Sequence, residues 1–162
     1  MLVKRPWLLP ILLCACLFCL TAALPAAAAG TKAQDKAVKA LVGKAAKFIQ
    51  AKGKAAFAKI NAPGNPWRQG DTAIFVSDAK GLELANAAYP EMVGKNLWNY
   101  KDPDGRLVVQ DQWKLVRAKG KGWYECKWPK PGSDQPALCR VFVQGVKVKG
   151  QRYLVGAGYF PQ

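Results

Sequence analysis

Two strand-like runs near the C-terminus leave this chain few ways to fold. The first is Gly120-Lys121-Gly122-Trp123-Tyr124-Glu125-Cys126-Lys127-Trp128-Pro129-Lys130-Pro131, and the second opens Cys139-Arg140-Val141-Phe142-Val143. Aromatic and β-branched residues bounded by Gly and Pro breaks read as strands, and the turn residues between the runs make them a hairpin. Side chains alternate along a strand, so Tyr124, Cys126 and Trp128 share one face while Trp123, Glu125 and Lys127 share the other. Cys126 and Cys139, thirteen positions apart, are then able to face each other across the hairpin.

The remaining segments fit around that hairpin. From Gln34, the residues Val38, Leu41, Val42, Ala45, Phe48 and Ile49 recur at the spacing of one apolar helix face, with lysines on the rest. Gly53 ends or bends this helix, and Ala56, Phe57 and Ile60 continue the apolar face in a shorter one. After the loop 61–66, the runs 73–77 and 82–85 flank Asp78-Ala79-Lys80-Gly81, a hairpin turn with Asp at its start and Gly at its end. Residues 89–100 read as a partly helical connection. The turn Asp102-Pro103-Asp104-Gly105 leads into a helix over 107–119 that Gly120 and Gly122 stop. The strand 138–148 turns at Lys149-Gly150 into a last strand, 153–159. Hairpin-length links imply an antiparallel sheet, so the expected fold is α+β, a long N-terminal helix packed on a central sheet of about five strands.

The N-terminus reads as a secretory leader over 1–29: Lys4 and Arg5, an apolar stretch from Trp7 to Leu24, and the small-residue exit Ala26 to Ala29. Cleavage after Ala28 or Ala29 leaves one domain, 30–162, in a periplasmic or secreted location. A retained membrane anchor and lipidation at Cys16 are the alternatives. Of the five cysteines, only Cys126 and Cys139 lie beyond the leader, and in an oxidising compartment the expectation for them is a structural disulfide. The chain carries 25 Lys and Arg against 10 Asp and Glu, a net +15 that falls to +13 without Lys4 and Arg5. Such charge attracts anionic partners, but the lysines are spread out and export argues against nucleic acid.

Histidine is absent, which removes the commonest acid/base group and metal ligand. Asp78, Asp102 and Asp104 are accounted for as turn residues, and no metal-ligand cluster or phosphate-cradling glycine loop is present. The sequence therefore predicts no enzyme, no metal and no cofactor. Binding fits better. Trp98, Trp113, Trp123, Trp128 and Tyr159 exceed what a small core needs, and Arg140 lies on the strand paired with the aromatic run. With Phe142, they make seven ligand-binding candidates. An aromatic pocket with one guanidinium suits a small carboxylate gripped bidentately.

The runs Asn96-Leu97, Lys101-Asp102-Pro103-Asp104-Gly105, Gly120-Lys121-Gly122-Trp123, Trp128-Pro129-Lys130-Pro131 and Val155-Gly156-Ala157-Gly158-Tyr159, with a helix after the second, resemble the single Cache domain. That family comprises extracytoplasmic sensor modules of chemoreceptors and sensor kinases. The resemblance implies a PAS-like sheet and a pocket for small organic acids or similar metabolites between the sheet and the segment 89–119. It also implies an envelope or receptor protein that receives the signal. Family members often carry Tyr at the positions of Cys126, Ala73 and Phe142, and a basic residue near Cys139. The rival reading is a basic envelope-associated protein holding an anionic surface, with membrane contact transient or through an uncleaved or lipidated leader.

Overall fold

The computed structural model describes residues 26–161; most of the expected leader 1–29, including Cys16, lies outside the described residues. Helix α1 spans Ala26–Lys52 and α2 Ala55–Asn61. Strands β1 Arg68–Gln69, β2 Thr72–Asp78 and β3 Glu83–Asn86 follow, then helix α3 Val108–Lys119, and strands β4 Lys121–Pro129, β5 Pro136–Val148 and β6 Gln151–Tyr159. Helix α1 begins before Gln34, because the Ala-rich run ahead of it has the highest helix propensity of any residue type. It stops at Gly53, whose φ of 60° closes the last turn with its N–H donating to the Ile49 carbonyl at 2.8 Å.

All strands form one antiparallel sheet in the order β1-β2-β6-β5-β4, with β3 on the same edge of β2 as the short β1. The sixth strand beyond the expected five is β1, two residues too short to leave a periodic signal. The β4–β5 register places Cys126 opposite Cys139 and Trp123 opposite Phe142.

The sheet is covered on both faces. On one, α1 and α2 bury Val38, Leu41, Val42, Ala45, Ile49, Phe57 and Ile60 against Val76, Phe142, Val155 and Ala157. On the other, α3 sets Val108, Val109, Trp113 and Val116 against Cys126, Cys139, Val141, Val143 and Leu154. Burial of this much aliphatic surface, at roughly 25 cal/mol per Å², is the main favourable contribution to folding.

The connection 87–107 is less helical than expected, with only a 3₁₀ turn at Pro90–Met92. Its backbone hydrogen-bonds instead to the edge around β3. Glu83 N–H donates to the Lys95 carbonyl and Gly94 N–H to the Glu83 carbonyl, both at 2.9 Å, and Leu97 N–H to the Gly81 carbonyl at 2.8 Å. The Asp102 turn is fastened likewise. One carboxylate oxygen accepts from Asp104 and Arg106 N–H, and the other accepts from Lys127 N–H on β4. This docking holds the loop over the second face of the sheet.

Candidate functional site

Between the sheet and the segment 89–119 lies a cavity of about 80 Å³. Its floor is Phe75 of β2, Cys126 and Trp128 of β4, Cys139 and Val141 of β5, and Gly158 of β6; α3 supplies Val108, Val109 and Gln112 above it. The small residues of β6 make this space. A Cβ at Gly156 would collide with the Phe75 ring, and one at Gly158 would stand 2.8 Å from the Cys139 sulfur. The Gly156-Ala157-Gly158 run is thus close packing, as its sequence context suggests.

Two polar side chains reach the cavity from buried positions. Glu83 is 4% exposed; its Oε1 accepts from Asn86 Nδ2 at 2.9 Å, and its other oxygen has no protein partner among the described residues. Asn86 is locked in that orientation because its Oδ1 accepts from the Ala88 and Tyr89 N–H groups. Burial pushes the Glu83 carboxyl up to about 8, against the smaller opposing effect of the Asn86 hydrogen bond, so it is mostly protonated at neutral pH. Gln112, also 4% exposed, lines the cavity with no hydrogen-bond partner for its amide among the described residues. The Tyr89 hydroxyl donates to the Pro129 carbonyl at 2.6 Å and closes one end.

Cys126 and Cys139 face each other as expected, but the structure has them as free thiols on the cavity wall and not as the expected disulfide. Burial raises the Cys126 thiol to about 12 and raises Cys139 further, aided by Cys126 itself, so neither is a thiolate nucleophile at neutral pH. Among the described residues, no group of three His, Cys, Asp or Glu is placed to hold a metal.

The seven aromatic and arginine candidates do not come together. Trp128 lines the cavity, against Tyr100 at 4.8 Å between ring centroids. Trp113 is buried in the same layer, its Nε1 donating to Ser77 Oγ at 3.3 Å, and Trp98 packs at the layer's margin without lining the cavity. Trp123, Arg140, Phe142 and Tyr159 project from the opposite face, toward α1. There, Arg140 is already occupied. Its Nε and Nη2 donate to Asp35 at 3.1 and 3.3 Å, its Nη1 to Glu125 at 2.6 Å, and its guanidinium stacks 4.6 Å over Trp123. Tyr159 adds a hydroxyl bond to Asp35 at 2.9 Å. The alternation of β5 is the physical reason: Cys139 faces the cavity, so its neighbour Arg140 faces away.

Sequence reasoning passed over Glu83, Gln112, Phe75 and Tyr89. The signal for Glu83 was available. In Leu82-Glu83-Leu84-Ala85 it alternates with two leucines, which puts it on the opposite face, and a sheet covered on both sides buries that face as well.

The architecture is an antiparallel sheet with two helices along one face and a small cavity under a helix and loop on the other. Residues 59–158 match the family described as Cache domain. The chain is 27% identical over 90 residues to the methyl-accepting chemotaxis protein McpP of Pseudomonas putida, an alignment covering 56% of this chain and 16% of that protein. It therefore corresponds to a small part of that receptor's length. Among solved structures, it is similar to a periplasmic sensor domain of a chemotaxis protein (27% identity, TM-score 0.59, 83% of this chain and 94% of that one). It also shares the fold of a Cache chemosensory domain solved for its carboxylic acid recognition (23% identity, TM-score 0.67, 83% and 98%) and of a methyl-accepting chemotaxis protein from Vibrio parahaemolyticus (20% identity, TM-score 0.64, 83% and 93%). The chain belongs to the Cache domain family.

Proposed function

We propose that this chain is an extracytoplasmic sensory domain that takes a small metabolite into the cavity between the sheet and α3 and passes occupancy to a partner protein. The observation that carries this reading is the pair Glu83 and Gln112, two buried side chains with hydrogen-bonding capacity left over, both opening on one enclosed space. Among the described residues no fully buried side-chain nitrogen or oxygen lacks a partner, so the open Glu83 and Gln112 atoms are reachable from the cavity and a ligand there can hydrogen-bond to them in place of water. The volume suits a compound of a few heavy atoms. The family resemblance and the carboxylic acid recognised by a similar domain put short organic acids among the compounds to be tested.

The Ala-rich N-terminus and its preceding apolar stretch support export, and among the described residues no helix is long and apolar enough to cross a membrane. In that compartment, Cys126 and Cys139 would be joined. Directly opposed residues of an antiparallel pair have Cα atoms about 4.5–5.5 Å apart, within the range a disulfide spans.

A thermal-shift screen of the purified protein against short carboxylates, amino acids, purines and small amines tests the sensory reading. Stabilisation by one class is the expected result. A flat response across all four classes would remove it.

A further inference from the structure

The charge of the cavity narrows the ligand class, given the reading above that the cavity is the ligand site. The sequence has 25 Lys and Arg, yet among the described residues none lines this space, whereas two of its 10 acidic residues, Glu83 and Asp71, do. The one arginine that sequence reasoning offered for a carboxylate, Arg140, is held by Asp35 and Glu125 on the other face of the sheet. A carboxylate entering here would lose its hydration and find no cation in the lining, only Arg68, Arg106 and Lys130 behind Tyr89, Cys126 and Phe160, and it would sit beside a second carboxyl group. Burial of an unpaired ion in an apolar site is among the costliest events a protein can arrange.

We propose that the cavity binds a small primary amine as its ammonium ion, held between the Glu83 carboxylate and the Gln112 side-chain carbonyl and enclosed by Phe75, Tyr89, Trp128 and Phe160. Each part of the site matches that ion. The free Glu83 oxygen and the Gln112 amide oxygen accept from N–H groups, and both lack protein donors among the described residues. Aromatic faces attract cations, by about 0.5–2 kcal/mol when desolvated; the Phe160 ring already has Lys130 Nζ 5.7 Å from its centroid, which leaves Phe75, Tyr89 and Trp128 for the ligand. The apolar walls from Val108, Val109 and Val141 accept a short alkyl chain.

Binding is coupled to a proton. In the empty site, Glu83 is mostly protonated: the titratable groups sharing its cavity lining are Asp71, Tyr89, Cys126 and Cys139, the cations Arg68, Arg106 and Lys130 sit beside Tyr89, Cys126 and Phe160 rather than beside Glu83, and its own strand offers the Asn86 amide. When the ammonium enters, the Glu83 Oε–H bond breaks, the proton passes to solvent water, and the carboxylate pairs with the N⁺–H group. Affinity therefore rises with pH up to about 8, where Glu83 ionises without the ligand, and falls again as the amine itself loses its proton.

The test is calorimetric titration of the purified protein with propylamine, sodium propionate and propionamide at pH 6, 7 and 8. Propylamine is expected to bind, with affinity rising up to about tenfold per pH unit and with nearly one proton released at pH 7, read from the dependence of the heat on buffer ionisation enthalpy. Glu83→Gln keeps the shape and uncharged state of the protonated side chain, so it folds, and it should weaken propylamine on the order of 30-fold or more. Propionate or propionamide binding in place of propylamine overturns the amine assignment and leaves the cavity as a ligand site. So does propylamine affinity that is independent of pH, or equal affinity in Glu83→Gln. Failure of the whole four-class screen is a different outcome, and it removes the sensory reading itself.

Discussion

Arg140 on β5 grips Asp35 on α1 through two nitrogens, at 3.1 and 3.3 Å, and so ties the first helix to the middle of the sheet across 105 residues of sequence. Burial works to raise the Asp35 carboxyl, but Arg140 and Tyr159 outweigh it and hold the group below its usual range. The pair is partly exposed, with side chains 30% and 22% accessible, which places its worth between that of a surface and a buried ion pair. Arg140→Met should therefore cost about 1–2 kcal/mol in urea unfolding while leaving ligand affinity unchanged. A large loss of affinity with little loss of stability would put Arg140 back in the binding site.

Acid and alkali act on different carboxyls. Asp35 and Asp102 are both held low, so the stability they contribute is present above about pH 4 and lost as pH falls through their folded-state values. Glu83 has the opposite sign: its folded-state value is raised from 4.5 to about 8. Its contribution is complete below pH 4.5 and lost as pH rises toward 8, by up to about 1.4 kcal/mol per pH unit. Chemical denaturation at pH 5, 6, 7 and 8 should show stability falling across the series in the parent protein. In Glu83→Gln that slope should largely disappear.

Most of the fold was legible because local rules set it. Asp78 and Asp102 each accept backbone N–H groups inside the turns where the sequence places them. The periodicity of Val38 to Ile49 marks the buried stripe of α1, and the alternation of Trp123 to Trp128 gives the two faces of β4. That same alternation held information about the site that composition obscured. Trp123 and Trp128 are an odd number of residues apart, as are Cys139 and Arg140, so neither pair shares a pocket. The resemblance placed a pocket under the segment 89–119, but no local pattern showed which strand residues that second cover would bury. The docking of 87–107 along β3 and of α3 over the sheet is a tertiary event, and it turns Glu83 from a solvated strand residue into a buried one.

The opposed cysteines give a prediction about redox state. Purified from an oxidising compartment and unfolded without reductant, the protein should contain no titratable thiol at Cys126 or Cys139. Reduction, or Cys126→Ser with Cys139→Ser, should lower stability by about 2–4 kcal/mol. Two thiols found in that titration would show that the pair stays reduced on the cavity wall.

Gly156 is a position where one methyl group tests the cavity floor. Its backbone is ordinary strand, but a Cβ there would run into the Phe75 ring that lines the cavity. Gly156→Ala must push that ring toward the ligand space, with an overpacking cost of about 1–3 kcal/mol. A thermal melt should register the loss, and any stabilising ligand should lose its effect. Gly94→Ala, where a Cβ would meet nothing within 4 Å although φ is positive, serves as a comparison with backbone strain but no steric clash.

Gln112 separates function from stability most sharply. It sits on α3 between Val109 and Trp113, only 4% exposed as a residue, and its amide opens on the cavity with no protein partner among the described residues. Leu in its place fills similar volume and gives up no protein hydrogen bond among the described residues, so Gln112→Leu should change stability by less than about 1 kcal/mol. The same change removes one of the two acceptors that the cavity offers, and ligand affinity should fall about tenfold or more while the melting temperature holds. A residue kept only for packing would show the reverse, with stability lost and binding spared. Measuring both quantities on this one variant therefore decides whether the amide serves the ligand or the fold.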